Sequence, residues 1–426
     1  MRRLKTQTIV CLLTVAVWIQ PTLRGGDLEL AKPEDAGMSS ERLERLSLAF
    51  RGYVDNGQLP GNATLIARRG KIVYLKAFGW RDRESRAPLK PDAIFRIASQ
   101  TKAIVSVGIM VLQEEGRLLI SDPVGKYLPE FQETTVAVAK DGGRYDVVKA
   151  KRPITIRDLL THTSGVGYGG GIASDLWKKA KIHGWYFCHR DEPIGETVAR
   201  MANLPFDAHP GEKWIYGYNT DILGALAERV SGQSLDDFLR TRLFEPLGMR
   251  DTHFYLPEGK KRRLSVVYTS MDGRGLQRAP DPGGMIGQGA YVKGPRKSFS
   301  GGAGLLSTAN DYARFLQMLL NGGELDGQRI LSRKSVELMT VNHVGHTDYG
   351  NGAVGFGLGF WVAQDLGARG TPGSVGEFGW GGAYHSTYWI DPKEELVVVY
   401  FTQVRPIGAI DDHARLRALT YQAIID

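Results

Sequence analysis

Leu43, Leu46, Phe50 and Tyr53 recur three or four residues apart within 39–55 (SSERLERLSLAFRGYVD), with mostly polar positions between them. That spacing lays the apolar side chains along one stripe of a helix, with Ser39 or Ser40 as its N-cap. The pattern then changes. Residues 62–79 (NATLIARRGKIVYLKAFG) hold two strand-like runs on either side of Arg69-Gly70-Lys71, which predicts a hairpin. From about residue 99 helical spacing takes over. Residues 101–116 predict a helix closed by Gly116, 155–162 a short helix opened by Thr155 and Asp158, and 219–232 and 234–243 two more. A further capped amphipathic helix is predicted at 308–322. Strand patterns return at 354–362, 384–390 and 395–402, the last two joined by the turn Asp391-Pro392-Lys393, and a helix follows at about 411–425.

Strands early and late with helices between them point to an α+β fold. The simplest assembly pairs the two strand groups into one antiparallel sheet flanked by helices, with an all-helical domain inserted. On this reading residues 26–98 together with 297–426 build the sheet domain, and 99–296 the helical domain with its active-site loops. Glycine-rich stretches at 165–171 and 283–304 read as long loops, a class of segment that is commonly functional. No period of 20–50 residues is visible, which argues against a repeat architecture.

Composition narrows the classes. The chain has 426 residues, 42% hydrophobic and 23% charged, so a large core can form and whole-chain disorder is excluded. The formal charge is +8, but Arg2, Arg3, Lys5 and Arg24 supply half of that excess within a segment that contains no acid. The remainder is too mild for a nucleic-acid binder, which needs a clustered basic face. The densest run, Lys260-Lys261-Arg262-Arg263, has no aromatic residues interleaved and reads as a solvated loop. At the N-terminus a basic stretch (1–7) precedes an apolar one of twelve residues (8–19), short of the roughly 20 that a membrane span requires. Residues 1–24 are therefore expected to be a signal peptide, and the protein to be exported to the periplasm or medium with no stable membrane span after processing. The cleavage site is unmarked, and an uncleaved anchor is the alternative. Beyond that segment Cys188 is the only cysteine, so no internal disulfide forms; it reads as a small buried hydrophobe.

Three features carry candidate chemistry. Ser99 and Lys102 stand at i and i+3 at the start of the 101–116 helix, so the lysine can reach the hydroxyl. A serine needs such a base to become a nucleophile. Tyr216 stands just ahead of the 219–232 helix, where a phenol can enter a cleft and pass protons. Gly379-Trp380-Gly381-Gly382-Ala383 precedes an apolar strand; its glycines permit close approach, and an edge strand there can offer a free N–H to an oxyanion. No G-x-S-x-G elbow and no HExxH occur. His343, His346 and Asp348 lie near one another without metal-site spacing, and neither a metal nor a cofactor is expected.

In this order the three features resemble the serine β-lactamase-like hydrolases, most closely the family VIII carboxylesterases, which share the fold of class C β-lactamases. The resemblance covers roughly 30–426 and extends to the flanking phrases 94–102 (IFRIASQTK), 158–165 (DLLTHTSG), 210–224 (PGEKWIYGYNTDILG), 300–316 (SGGAGLLSTANDYARFL) and 377–392 (EFGWGGAYHSTYWIDP). It implies Ser99 as nucleophile, Lys102 as its partner, Tyr216 as the catalytic tyrosine, and the backbone N–H groups of Ser99 and Ala383 as the oxyanion hole. Tyr218, Trp380, Gly381 and Gly382 would contact substrate. Two departures matter. The lactamase Tyr-x-Asn is Tyr216-Gly217-Tyr218 here, so its carboxamide is missing unless Asn219 reaches in. The Lys-Thr-Gly lysine is replaced by Trp380. Both changes favour uncharged esters over β-lactams. The implied activity is hydrolysis of small to medium acyl carboxylic esters through an acyl-enzyme, with a small-molecule ester as the partner. The alternatives are a β-lactamase or D-alanyl-D-alanine carboxypeptidase, and a non-catalytic ligand-binding relative. His162 reads as structural; His385 either lines the cleft or faces solvent from a strand.

Overall fold

The computed structural model describes residues 28–271, 275–345, 347 and 349–426. The expected signal segment, 1–24, lies outside the described residues, as do His346 and Asp348. Eight strands form the main sheet: β1 (Gly61–Arg68), β2 (Lys71–Asp82), β3 (Ala87–Pro88), β4 (Val354–Phe356), β5 (Trp361–Ala363), β6 (Phe378–Gly382), β7 (Ser386–Asp391) and β8 (Leu396–Phe401). Their order is β4-β5-β6-β7-β8-β1-β2-β3, with every neighbouring pair antiparallel. The early hairpin and the late strands join where β1 meets β8, with Leu65 opposite Val399.

Both faces of this seam are covered, and all eight residues of β1 are buried. Alternation sends Leu65, Val397, Val399 and Phe401 to one face and Ile66, Leu396, Val398 and Tyr400 to the other. Helices α1 (Ser40–Asp55) and α6 (Asp412–Tyr421) close the second face through Leu43, Leu46, Phe50 and Leu416. Ser39 caps α1 by accepting from the Arg42 amide. The first face is covered by α5 (Ala309–Leu320), whose Tyr312, Phe315 and Leu316 are fully buried. Beyond it lie α2 (Thr101–Glu114), α3 (Ile156–Leu160) and α4 (Asn219–Ser231). The expected Thr155–Asp158 pair forms a reciprocal capping box on α3.

Four local expectations need correction. The run 354–362 is two strands, because the chain reverses between Gly357 and Phe360, where Gly359 adopts φ +103°. The last-but-one strand starts at Ser386; Ala383 to His385 form the turn before it. The inserted stretch carries two hairpins, Thr135–Ala139 with Tyr145–Lys149 and Tyr268–Met271 with Gly275–Arg278, beside its helices. In the basic run only Lys261 and Arg262 are exposed. Lys260 and Arg263 both pair with Asp251, and Arg263 also with Asp92.

The strand β6 positions the chemistry. It pairs with β7 along its whole length, but with β5 only at Phe378 and Gly379. From Trp380 onward its outer edge is open. Gly382 ends the strand against the turn that carries Ser99: a Cβ there would lie 2.5 Å from the Ile97 carbonyl oxygen.

Candidate active site

Ser99 lies in a single 3-10 turn, Ala98–Gln100, that runs directly into α2. The preceding Ala98 holds φ +43°, a left-handed conformation that costs an L-residue about 1–2 kcal/mol. This bend lifts Ser99 out of the core. Ala98 and Gln100 are wholly buried while Ser99 is partly exposed to a cleft of about 530 Å³.

One turn on, Lys102 is 2% exposed. Its ammonium donates to Ser99 Oγ at 3.4 Å, to the Tyr168 hydroxyl at 3.1 Å and to the Gly302 carbonyl at 2.7 Å. It also sits 4.6 Å from the Tyr216 ring centroid, within cation–π range. A buried ammonium needs such partners because it has left water. Gly302 ties it to a buried carboxylate, since the amide of the same residue donates to Asp221 Oδ1 at 3.1 Å and Ser300 donates to that oxygen at 2.6 Å. Burial raises the Asp221 carboxyl above its ordinary range, an effect opposed by Ser300 and Lys102. Only glycine fits at 302, where a Cβ would approach Asp221 Oδ2 to 2.4 Å.

Tyr216 stands beside the lysine. Its segment is pressed onto the 165–168 loop, and a Cβ at Gly217 would lie 2.3 Å from the Val166 carbonyl oxygen. The Tyr216 hydroxyl accepts from Trp380 Nε1 at 3.2 Å. Trp214 stacks on the Tyr216 ring at 5.8 Å and 10°, while Phe356 meets Trp380 edge-on at 5.3 Å. Trp380 thus belongs to an aromatic wall on the tyrosine side of the cleft. Gly381, Gly382 and Ala383 line the same cleft as Ser99.

Of the residues that the sequence singled out, Ser99, Tyr216, Trp380, Gly381, Gly382, Ala383 and His385 line one cleft, while Lys102 is buried behind it and touches Ser99. Tyr218 does not line it. It stands at the buried start of α4, is wholly buried, stacks on Trp177, and donates to the Gly184 carbonyl at 2.8 Å. Asn219 does not reach in either. Its amide nitrogen meets His162 Nδ1 at 2.9 Å and its oxygen accepts from Ser164 at 2.5 Å. His162 is buried, and burial together with Lys102 holds its pKa well below the usual histidine range, in keeping with a neutral structural role. Cys188 is buried and its thiol is pushed up to about 12 by burial, so it is not a thiolate nucleophile.

Several residues escaped the sequence reading. Tyr168 was visible only as part of a glycine-rich loop; burial keeps its phenol protonated. Trp185, Arg405 and His413 also line the cleft. Among the described residues His385, Asp412 and His413 form the one group of potential metal ligands, their ligand atoms within 4.8 Å of one another. His385 Nε2 already lies 2.8 and 3.0 Å from the two Asp412 oxygens, and Tyr400 donates to Asp412 at 2.7 Å. The two imidazoles stack at 4.2 Å and 15°, so an ion between them would lie off the plane of both rings. The arrangement is a hydrogen-bonded clamp from the Ala383 turn to α6.

Comparison with known proteins bears on the family and the fold. The family model described as Beta-lactamase matches residues 46–422. The chain is 33% identical to Esterase EstB of Burkholderia gladioli over 84% of its own length and 89% of the relative's. It is 28% identical to the lovastatin esterase of Penicillium rubens, covering 82% and 90% of the two chains. Among solved structures, EstCE1, described as a hydrolase with promiscuous acyltransferase activity, superposes with a TM-score of 0.76 at 26% identity, over 89% of this chain and 98% of that one.

Proposed function

The chain belongs to the beta-lactamase family, and we propose that within it this protein is a carboxylesterase acting on small to medium acyl esters through a covalent acyl-enzyme. The observation that carries this reading is the contact of Lys102 Nζ with Ser99 Oγ at 3.4 Å in a cleft whose tyrosine side is walled by Trp380 rather than by a cation.

In the proposed cycle Ser99 Oγ attacks the ester carbonyl carbon. Its proton passes through Lys102 and Tyr216 to the leaving alkoxide oxygen as the acyl–oxygen bond breaks. The backbone N–H groups of Ser99 and Ala383 hold the oxyanion. Water then attacks the acyl-enzyme, gives its proton back along the same path to Ser99, and releases the carboxylic acid. Lys102 and Tyr216 act as one coupled pair, so each proton step belongs to the pair. The names of EstB and the lovastatin esterase support ester cleavage as the reaction class.

A fluorophosphonate probe tests the reading. Labelling of Ser99, mapped by mass spectrometry, together with turnover of p-nitrophenyl esters is the expected result. A folded protein that neither labels nor turns over any ester would instead be a ligand-binding relative. We further propose that the protein is exported, on the strength of the basic and then apolar N-terminus; recovery of the full-length chain in the cytoplasmic fraction alone would refute this.

A further inference from the structure

The two ends of the cleft differ in chemistry. At one end Tyr216, Trp214, Phe356 and Trp380 form an aromatic wall. The other end, beyond the turn at Ala383 where β6 stops, is polar and basic. There Arg405 lines the cleft beside Ala383, with His385 and His413 close by.

Arg405 is the unusual group. Among the described residues its guanidinium makes one hydrogen bond, from Nη1 to the Ala383 carbonyl at 3.3 Å, and its Nε is buried with no acceptor. Its guanidinium lies over the Trp185 ring at 5.2 Å. No described carboxylate pairs with it. The acid at this end, Asp412, is wholly buried and taken up by His385, by Tyr400 and by the backbone N–H of His413 at 2.9 Å. A guanidinium offers five donors in a planar fork that matches a carboxylate, and most of this fork is unused.

The proposed chemistry decides which half of a substrate meets Arg405. The leaving alkoxide must lie within reach of Tyr216 to take its proton, which places the alcohol on the aromatic side. The acyl chain then extends the other way, past Ala383. We propose that the Arg405 end of the cleft is an anion-binding acyl subsite, and that the enzyme takes esters whose acyl group carries its own carboxylate, such as half-esters of short dicarboxylic acids. This rests on the esterase reading above and narrows it. It leaves β-lactams disfavoured, because their carboxylate hangs on the leaving-nitrogen side, where Trp380 stands.

The test compares two p-nitrophenyl esters of equal acyl length, the hydrogen adipate and the hexanoate. Adipate is long enough that its carboxylate attacks its own ester slowly. In Arg405→Gln the ratio of kcat/KM for adipate to that for hexanoate should fall roughly 10- to 100-fold, as expected when a charge-assisted pair is lost. Arg405→Lys should recover part of the ratio, and added salt should lower it in the wild type alone. A carboxylate on the alcohol tests the side: the rate of 4-acetoxybenzoate relative to phenyl acetate should not follow Arg405. Equal losses on both acyl esters would assign Arg405 to holding the Ala383 turn and overturn the subsite, as would an unchanged ratio or a response from 4-acetoxybenzoate. Hydrolysis of none of these esters by the wild type would instead strike the esterase reading itself.

Discussion

Trp380 Nε1 donates to the Tyr216 hydroxyl at 3.2 Å. Trp380, which stands where the resemblance places a lysine, therefore reaches the tyrosine as a neutral donor. Because the phenolic oxygen accepts this bond, the tyrosine's own proton stays free to point at a leaving group.

Trp380→Phe isolates that bond, because it keeps an aromatic wall and deletes the N–H. A neutral hydrogen bond contributes about 1 kcal/mol, so kcat for a short ester should fall roughly fivefold with KM little changed. Steady-state kinetics on p-nitrophenyl butyrate measure it. An unchanged kcat would mean that the indole only shapes the cleft.

Ser99→Ala should lower ester turnover by on the order of 10³-fold or more while leaving the fold intact. The side chain is partly exposed at the end of a turn, so its loss opens no core cavity. Circular dichroism and thermal unfolding check the fold. Residual hydrolysis within tenfold of wild type would remove Ser99 from the role of nucleophile.

Lys102→Met and Tyr216→Phe should each cost roughly 10²–10⁴ in kcat, the range for proton-transfer groups. The ammonium lies 4.6 Å from the phenol ring, so the pair is close enough to act as a unit. The double variant should then be little slower than the worse single one. Losses that multiply in full would assign the two residues separate steps.

How much of this was legible in the sequence differs by residue. The Ser99–Lys102 spacing is a local property of a helix start, and the structure keeps it. The sheet was readable because β1 and β8 are strong apolar runs that need a partner on each side. Tyr218 was misplaced because two tyrosines flanking Gly217 look alike as text. Only the buried start of α4 turns one into the cleft and the other onto Trp177. Asp221, Gly302 and Arg405 were illegible for a different reason. Each reaches the site from another part of the chain, and no periodicity records a contact such as the one between Gly302 and Asp221, 81 residues apart.

Acid should weaken the fold through His253. It lies 3.0 Å from Lys260 Nζ, and burial, with Lys260 second, lowers its pKa from 6.5 to about 4. The native state holds the ring neutral while the unfolded chain binds a proton below 6.5. The stability it contributes is thus whole above pH 6.5 and is lost as pH falls toward 4, by on the order of 2 kcal/mol at pH 5. Asp311, pushed up to about 6 mainly by burial, acts in the opposite sense but is common to wild type and variant. Thermal midpoints at pH 7.5 and 5.0 should therefore separate less in His253→Asn than in wild type. Equal separations would show that the ring takes up its proton without cost.

The last prediction sets esters against β-lactams. A penicillin presents its carboxylate on the carbon next to the ring nitrogen that leaves, toward Tyr216. There the described wall holds Trp380, Trp214 and Phe356, and Lys102 is already engaged with Ser99, Tyr168 and Gly302. Nor does a carboxamide stand ready for the side-chain amide, since Tyr218 is buried and Asn219 is held by His162 and Ser164. A lost charge-assisted bond costs about 1.5–3 kcal/mol and a lost neutral one about 1. Together they put benzylpenicillin roughly 10²–10³-fold below what the same nucleophile would achieve with those partners present. Short p-nitrophenyl esters carry neither group and lose nothing. The kcat/KM values for p-nitrophenyl butyrate and benzylpenicillin on one preparation decide between the readings. The ester should lead by at least two orders of magnitude, and a penicillin value equal to or above it would make the protein a β-lactamase with incidental esterase activity.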